Sequence, residues 1–80
     1  MTVTVKFFTF KDLAGTSESE VDLPAGATVA ALAGLLAERF PALFPAAGHA
    51  ILLVNDKIGA RDTPLADGDR ILLLQALGGG

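Results

Sequence analysis

Only one stretch of this 80-residue chain, Val29 to Phe40, carries its apolar residues at helical spacing. Val29, Leu32, Leu36 and Phe40 recur one turn apart with Leu35 beside them, which predicts an amphipathic helix of about three turns. Thr28 is placed to cap its first turn, and Pro41 ends it, because the residue before a proline is pushed out of the α region. Gly34 sits inside this helix at a penalty of about 1 kcal/mol against Ala, and close approach of the helix to a sheet would explain it. One helix cannot bury its own apolar stripe, so whatever covers it has to come from strands.

The flanking segments supply them. Thr2 to Phe10 alternates, with Val3, Val5 and Phe7 on one face and Thr4 and Lys6 on the other. Phe8 and Phe10 break the pattern by placing bulk on the nominally polar face. Lys11 to Ser17 contains Gly15 and reads as a turn, with room for one helical turn at Lys11–Ala14. Glu18 to Leu23 alternates again, Val21 and Leu23 inward and Glu20 and Asp22 outward, which makes a hairpin with the first strand. Pro41 to His49 is a Pro/Ala/Gly connector with a short turn at residues 42–44. Ala50 to Val54 is a strand, Asn55-Asp56-Lys57 a turn, and Ile58 to Ala60 a short strand. Asp67-Gly68-Asp69 is a tight turn into the last strand, Arg70 to Gln75.

The order is hairpin, helix, strand, short elements, strand. It predicts an α+β fold, a mixed sheet of four to five strands with one main helix packed across it. A β-grasp arrangement satisfies this order, with the first and last strands side by side and parallel because the helix-containing segment is the crossover. Residues 1–76 are expected to form this domain, and 77–80 a flexible glycine tail.

Composition narrows the function. Apolar residues make up 51 % and charged residues 19 % of the chain, the reverse of a disordered balance. With no Cys, neither a disulfide, a thiolate metal site nor cysteine catalysis is available. A net charge of −3 without a basic run argues against nucleic acid as the main partner. The apolar runs are too short for a membrane span, and no basic-then-apolar leader pattern opens the chain. A cytoplasmic single-domain protein with no membrane partner is the expectation.

No catalytic constellation emerges. His49 is the sole imidazole and lies in the Ala/Gly connector, where it reads as an exposed loop residue rather than a metal ligand. Asp67 and Asp69 read as turn residues rather than an acid–base pair, and the calcium-loop pattern is absent. Glu18, Glu20 and Asp22 read as the solvated face of a strand. The hydroxyls of Thr16, Ser17 and Ser19 have no base near them in sequence. Gly15, Gly26, Gly34, Gly48, Gly59 and Gly68 are isolated and match neither phosphate-loop nor dinucleotide spacing.

That leaves Gly78-Gly79-Gly80, which follows a hydrophobic strand with no polar linker. It reads either as a frayed end or as a working group. In the second reading the α-carboxylate of Gly80, ionised at neutral pH from a reference pKa of about 3.3–3.7, attacks the α-phosphate of ATP. Residues without side chains can lie extended in a narrow channel and deliver it.

Several short motifs support the working tail. Val5-Lys6-Phe7-Phe8 with Lys11-Asp12-Leu13-Ala14-Gly15, and Val54-Asn55 followed by Pro64-Leu65-Ala66-Asp67-Gly68-Asp69, resemble MoaD, the molybdopterin synthase small subunit. The end, Asp67 to Gln75 and then Gly79-Gly80, is closer to ThiS, the thiazole-synthesis carrier. Where MoaD chains carry a Pro-Pro pair before the tail, this chain has Gln75-Ala76. The chain thus resembles the MoaD/ThiS family of ubiquitin-like sulfur carriers over nearly its whole length, while the pathway stays open between the two.

The resemblance implies a mechanism with partners. A MoeB/ThiF-type enzyme, consuming ATP, would adenylate Gly80, and a persulfide donor would convert it to a thiocarboxylate. The sulfur would pass to the pterin through a molybdopterin synthase large subunit, or into the thiazole through a thiazole synthase. Gly79 accompanies Gly80 at the reacting end, and Leu77 and Gly78 are implied as partner contacts of the inserted tail. The carrier itself would bind no cofactor and no metal.

Strand alternation adds a docking surface. If Val5, Phe7, Ile71 and Leu73 face the helix, then Phe8, Leu72 and Leu74 face outward. The resemblance places Ile58 as an apolar contact beside them, on the face through which the family docks its activating enzyme. An exposed patch of this kind marks a partner site, whereas Leu72 or Ile58 inside the core would abolish it. Arg61 and Arg70 stand either at its rim or as ordinary solvated side chains. Two rival readings share the fold: a ubiquitin-like modifier joined through Gly80 to lysines, and a β-grasp interaction module whose glycines do nothing.

Overall fold

The computed structural model of the chain describes residues 1–42 and 51–74. Strand β1 (Thr2–Lys6) is followed by a 3-10 turn at Phe8–Phe10, helix α1 (Lys11–Ala14), strand β2 (Glu18–Asp22) and the main helix α2 (Val29–Arg39). Strands β3 (Ile51–Val54), β4 (Lys57–Ile58) and β5 (Arg70–Leu74) complete the sheet, whose order is β2-β1-β5-β3-β4. β1 and β5 are parallel neighbours at its centre, and every other pairing is antiparallel. This is the mixed five-stranded β-grasp sheet that the order of elements predicts.

The core lies between α2 and one face of the sheet. Val29, Leu32 and Leu36 of the helix share one buried cluster with Val3, Val5, Val21, Ile71 and Leu73 of the strands. Side chains of this size each contribute about 1.5–3 kcal/mol when fully buried, so these alternating positions are what fix strand register. Thr28 caps α2 by accepting from the Ala31 N–H at 3.4 Å. Two further N–H groups of the first turn, Val29 and Ala30, donate to the carbonyls of Thr63 and Arg61 at 3.0 and 2.9 Å. The loop after β4 therefore satisfies the helix end that the cap leaves open. At the other end Phe40 leaves the α region (φ −126°, ψ 70°) ahead of Pro41.

Three sequence expectations are corrected. The alternation does not continue to Phe10: β1 stops at Lys6, and the 3-10 turn swings Phe10 into the core rather than onto the polar face. The short strand after the Asn55 turn is Lys57–Ile58, not Ile58–Ala60, because Asn55 and Asp56 alone form the reversal, both at positive φ (51° and 72°). That is the two-residue hairpin geometry whose twist matches the flanking strands. Gly34 is exposed, and a Cβ built on it meets nothing within 4 Å, so close approach to the sheet does not account for it. The tight glycine is Gly59 instead, where a Cβ would lie 3.0 Å from Val54 Cγ2 and 3.1 Å from Val29 Cγ2. The connector through His49, the start of the third strand at Ala50, Gln75 and the glycine tail fall outside the described residues.

Candidate functional site

One face of the sheet packs on α2, and the other is the candidate site. The strand registers lay it out in rows. Across the sheet from β2 to β4 run Glu18, Lys6, Leu72, Leu53 and Ile58, each the register partner of the next. A second row pairs Glu20 with Thr4 and Thr4 with Arg70, and a third pairs Leu74 with Ile51. Since alternate residues of a strand share a face, the open face is acidic along β2, basic or polar at the centre, and apolar over β5, β3 and β4. No helix among the described residues is long and apolar enough to cross a membrane.

The sequence-derived patch residues meet here. Ile58 is 76 % and Phe8 46 % exposed, while Leu72 and Leu74 are half-buried. Phe8 reaches this face by a different route from the one alternation suggests. It sits in the turn after β1 at φ 47°, and with Lys6, Asp56, Arg70 and Leu72 it lines a cavity of about 170 Å³. β5 runs parallel to β1, so it ends at the same edge of the sheet at which β1 gives way to the Phe8 turn. Leu77, Gly78, Gly79 and Gly80, which continue the chain from there, lie outside the described residues. Arg70 belongs to the cavity wall, whereas the Arg61 carbonyl is engaged at the start of α2.

Sequence reasoning missed Ile51 and Leu53. The run Ile51-Leu52-Leu53-Val54 is apolar at every position, so period alone cannot say which members face outward. All four are half-buried, Leu52 and Val54 against the core, which assigns the other two to the open face. The available signal was phase: an antiparallel partner of Arg70–Leu74 shares its outward positions with Leu72 and Leu74.

The carboxylates of the last turn are structural. Asp67 Oδ1 accepts the Thr2 N–H at 2.7 Å. Asp69 accepts the Asn55 side-chain N–H at 2.8 Å through Oδ1 and the Ala66 N–H at 2.7 Å through Oδ2. Asn55 in turn accepts the Arg70 N–H at 3.0 Å, which locks the β3–β4 reversal to the start of β5. The hydroxyls of Thr16 and Ser19 donate to the carbonyls of Glu18 and Glu20. Among the described residues no group of three His, Asp or Glu side chains could hold a metal ion. What the face offers is an apolar and charged surface rather than a catalytic cluster among the described residues.

Solved structures share this architecture. SAMP1 from Haloferax volcanii superposes with a TM-score of 0.87 at 26 % identity, each chain covered to 100 %. A putative molybdopterin converting factor subunit 1 from Pyrococcus furiosus gives 0.84 at 29 % identity, covering 91 % of this chain and 94 % of that one. A chain of the complex between subunits 1 and 2 of molybdopterin-converting factor from Helicobacter pylori gives 0.73 at 28 % identity, with both chains fully covered. Fold and open face thus define a ubiquitin-like β-grasp protein of the carrier or modifier class. The ThiS family model matches residues 5–80, and the chain belongs to the ThiS family.

Proposed function

We propose that the chain is a sulfur carrier whose C-terminal Gly80 is adenylated and converted to a thiocarboxylate, and that it donates this sulfur in molybdopterin biosynthesis as a MoaD-like small subunit. The observation that carries this reading is the reach of the family match, which extends from residue 5 through the last glycine. The MoaD-like assignment draws support from the likeness to molybdopterin converting factor subunit 1, and from a similar chain found in a complex of subunits 1 and 2.

The chemistry needs only what the chain holds and what its partners bring. A Gly80 carboxylate oxygen attacks the α-phosphorus of ATP, and pyrophosphate leaves. The terminal sulfur of a donor persulfide then attacks the acyl carbon and expels AMP. A second thiol takes the donor sulfur as a disulfide, and the thiocarboxylate is released. A MoeB/ThiF-type enzyme binds and consumes the ATP; the carrier has no cofactor of its own and works in the cytoplasm. Phe8, Ile58, Leu72 and Leu74 dock the partners, Leu77 and Gly78 line the path of the tail, and Gly79-Gly80 enter the partner's channel. In the MoaD-like role a molybdopterin synthase large subunit receives the tail.

The deciding experiment mixes the thiocarboxylated chain separately with a molybdopterin synthase large subunit and a thiazole synthase. Sulfur loss to the pterin precursor supports the MoaD-like role, and loss only to the thiazole precursor moves the chain to the ThiS-like one. A second reading, attachment of Gly80 to protein lysines, is favoured by the 26 % identity to SAMP1, a small archaeal modifier protein. Higher-mass conjugates that vanish when Gly80 is deleted would establish it.

A further inference from the structure

The sheet ends on two unlike edges. β4 closes one with Lys57 and Ile58 alone, whereas β2 closes the other with the five residues Glu18–Asp22. The bonds on either side of β2 fix which of its backbone groups look outward. Met1 and Leu23 exchange both bonds at 2.8 Å, and the Phe7 N–H donates to the Ser17 carbonyl at 3.0 Å. Bonded pairs of an antiparallel ladder recur at every second residue, so Ser19 and Val21 face β1. The N–H and C=O groups of Glu18, Glu20 and Asp22 therefore point away from the sheet, and no strand among the described residues pairs with them.

An open edge is a template for strand addition, and proteins cover such edges. Here the cover is partial. Thr16 Oγ1 donates to the Glu18 carbonyl at 2.9 Å, while Ser19 Oγ and Arg39 of α2 reach the Glu20 carbonyl only at 3.4 Å. Contacts that long are weaker than ordinary hydrogen bonds and easily displaced. The side chains add a selection by charge. Glu18, Glu20 and Asp22 are all exposed and project on one face. Lys6 and Lys11 share the Glu18 end, but Glu20 stands opposite Thr4 and Asp22 accepts the Thr2 hydroxyl at 2.6 Å. Negative charge is thus concentrated at Glu20 and Asp22. A second copy paired antiparallel through β2 would set Glu20 against Glu20 and Glu18 against Asp22, and like charges directly opposite destabilise a sheet.

We propose that the β2 edge takes up an extended segment of a partner protein with Lys or Arg at alternate positions, added as a further strand, and that Arg39 is the cover this segment displaces. Backbone bonds to Glu18, Glu20 and Asp22 hold the segment, and its cations lie opposite the three carboxylates. This edge is the one remote from Ile58, and its use does not depend on the chemistry of Gly80.

The test uses the full chain and an end-blocked hexapeptide of alternating Lys and Thr, with a control N-methylated at the lysine backbone nitrogens. The control keeps every charge and loses the strand bonds. Bound peptide should slow amide hydrogen exchange at Glu18, Glu20 and Asp22 by about tenfold, and the N-methylated control should not. Glu20→Gln/Asp22→Asn should weaken binding about fivefold and Arg39→Ala should tighten it about twofold to fivefold, both at an unchanged urea midpoint. Absence of binding at millimolar peptide, or equal binding of the N-methylated control, overturns the added strand. Binding that the double variant leaves unaltered overturns the choice of a basic segment. Weaker binding by Arg39→Ala overturns the role of Arg39 as cover. Protection of the same amides without peptide, rising with protein concentration, makes the occupant a second copy and overturns the proposal.

Discussion

Leu53 of β3 and Leu72 of β5 are antiparallel register partners on the face of the sheet that α2 leaves open. Ile58 extends the pair on one side and Lys6 on the other, so the row passes from apolar to charged within four strands. A monomer gains little from an apolar row in water, and the row makes sense as the counterpart of a partner surface. Ile58→Asp tests this directly. At 76 % exposure the change should alter stability by no more than about 0.5 kcal/mol, as at most surface sites. The KM of adenylation should nevertheless rise at least about tenfold, since a desolvated charge opposes docking. Denaturant melts and enzyme kinetics on the same sample check both halves.

Asp69 supports the fold through two side-chain bonds, to Asn55 and to the Ala66 N–H. Asp69→Ala should destabilise the chain by about 1.5–3 kcal/mol, the range for hydrogen bonds to a charged group. The loss would appear as a lower urea midpoint at unchanged m-value.

Gly34 and Gly59 should respond in opposite directions to the same substitution. Gly34→Ala adds a helix-favouring methyl into open space, so stability should rise by about 1 kcal/mol, or about 4–8 °C in Tm for a domain this small. Gly59→Ala drives a methyl to 3.0 Å from Val54 and 3.1 Å from Val29, and should lower stability by about 1–3 kcal/mol. Differential scanning calorimetry on the pair gives the sign of each.

Leu32 is fully buried in the middle of α2, and Leu32→Ala should cost about 2–5 kcal/mol. An 80-residue domain has little stability to spare, so partial unfolding at ambient temperature, visible in the far-ultraviolet circular dichroism, is the expected result.

How much of this was legible in the sequence depended on the range of the interaction. Helix α2, its Thr28 cap and its Pro41 stop rest on contacts within a few residues and can be read directly. The parallel pairing of β1 with β5 follows from element order and crossover rules. The turn at Phe8–Phe10 left a trace in the sequence, since Phe8 and Phe10 fall out of phase with Val3, Val5 and Phe7, but that Phe10 enters the core while Phe8 stays exposed depends on contacts that periodicity does not carry. Asn55 and Asp69 read locally as turn residues, and their mutual bond spans 14 positions that no periodicity connects. Of the open face, Phe8, Leu72 and Leu74 were within reach of strand alternation and Ile58 of the family resemblance, whereas Ile51 and Leu53 required the pairing of β3 with β5.

The central claim concerns the carboxyl group of Gly80, and the intact mass of the protein tests it most directly. The chain and a Gly80-deleted control are incubated with ATP, a MoeB/ThiF-type enzyme and a persulfide donor. The carrier account predicts a mass gain equal to one oxygen replaced by one sulfur, in the full chain alone. An unchanged mass with several competent activating enzymes, or the same gain in the deleted chain, would contradict it.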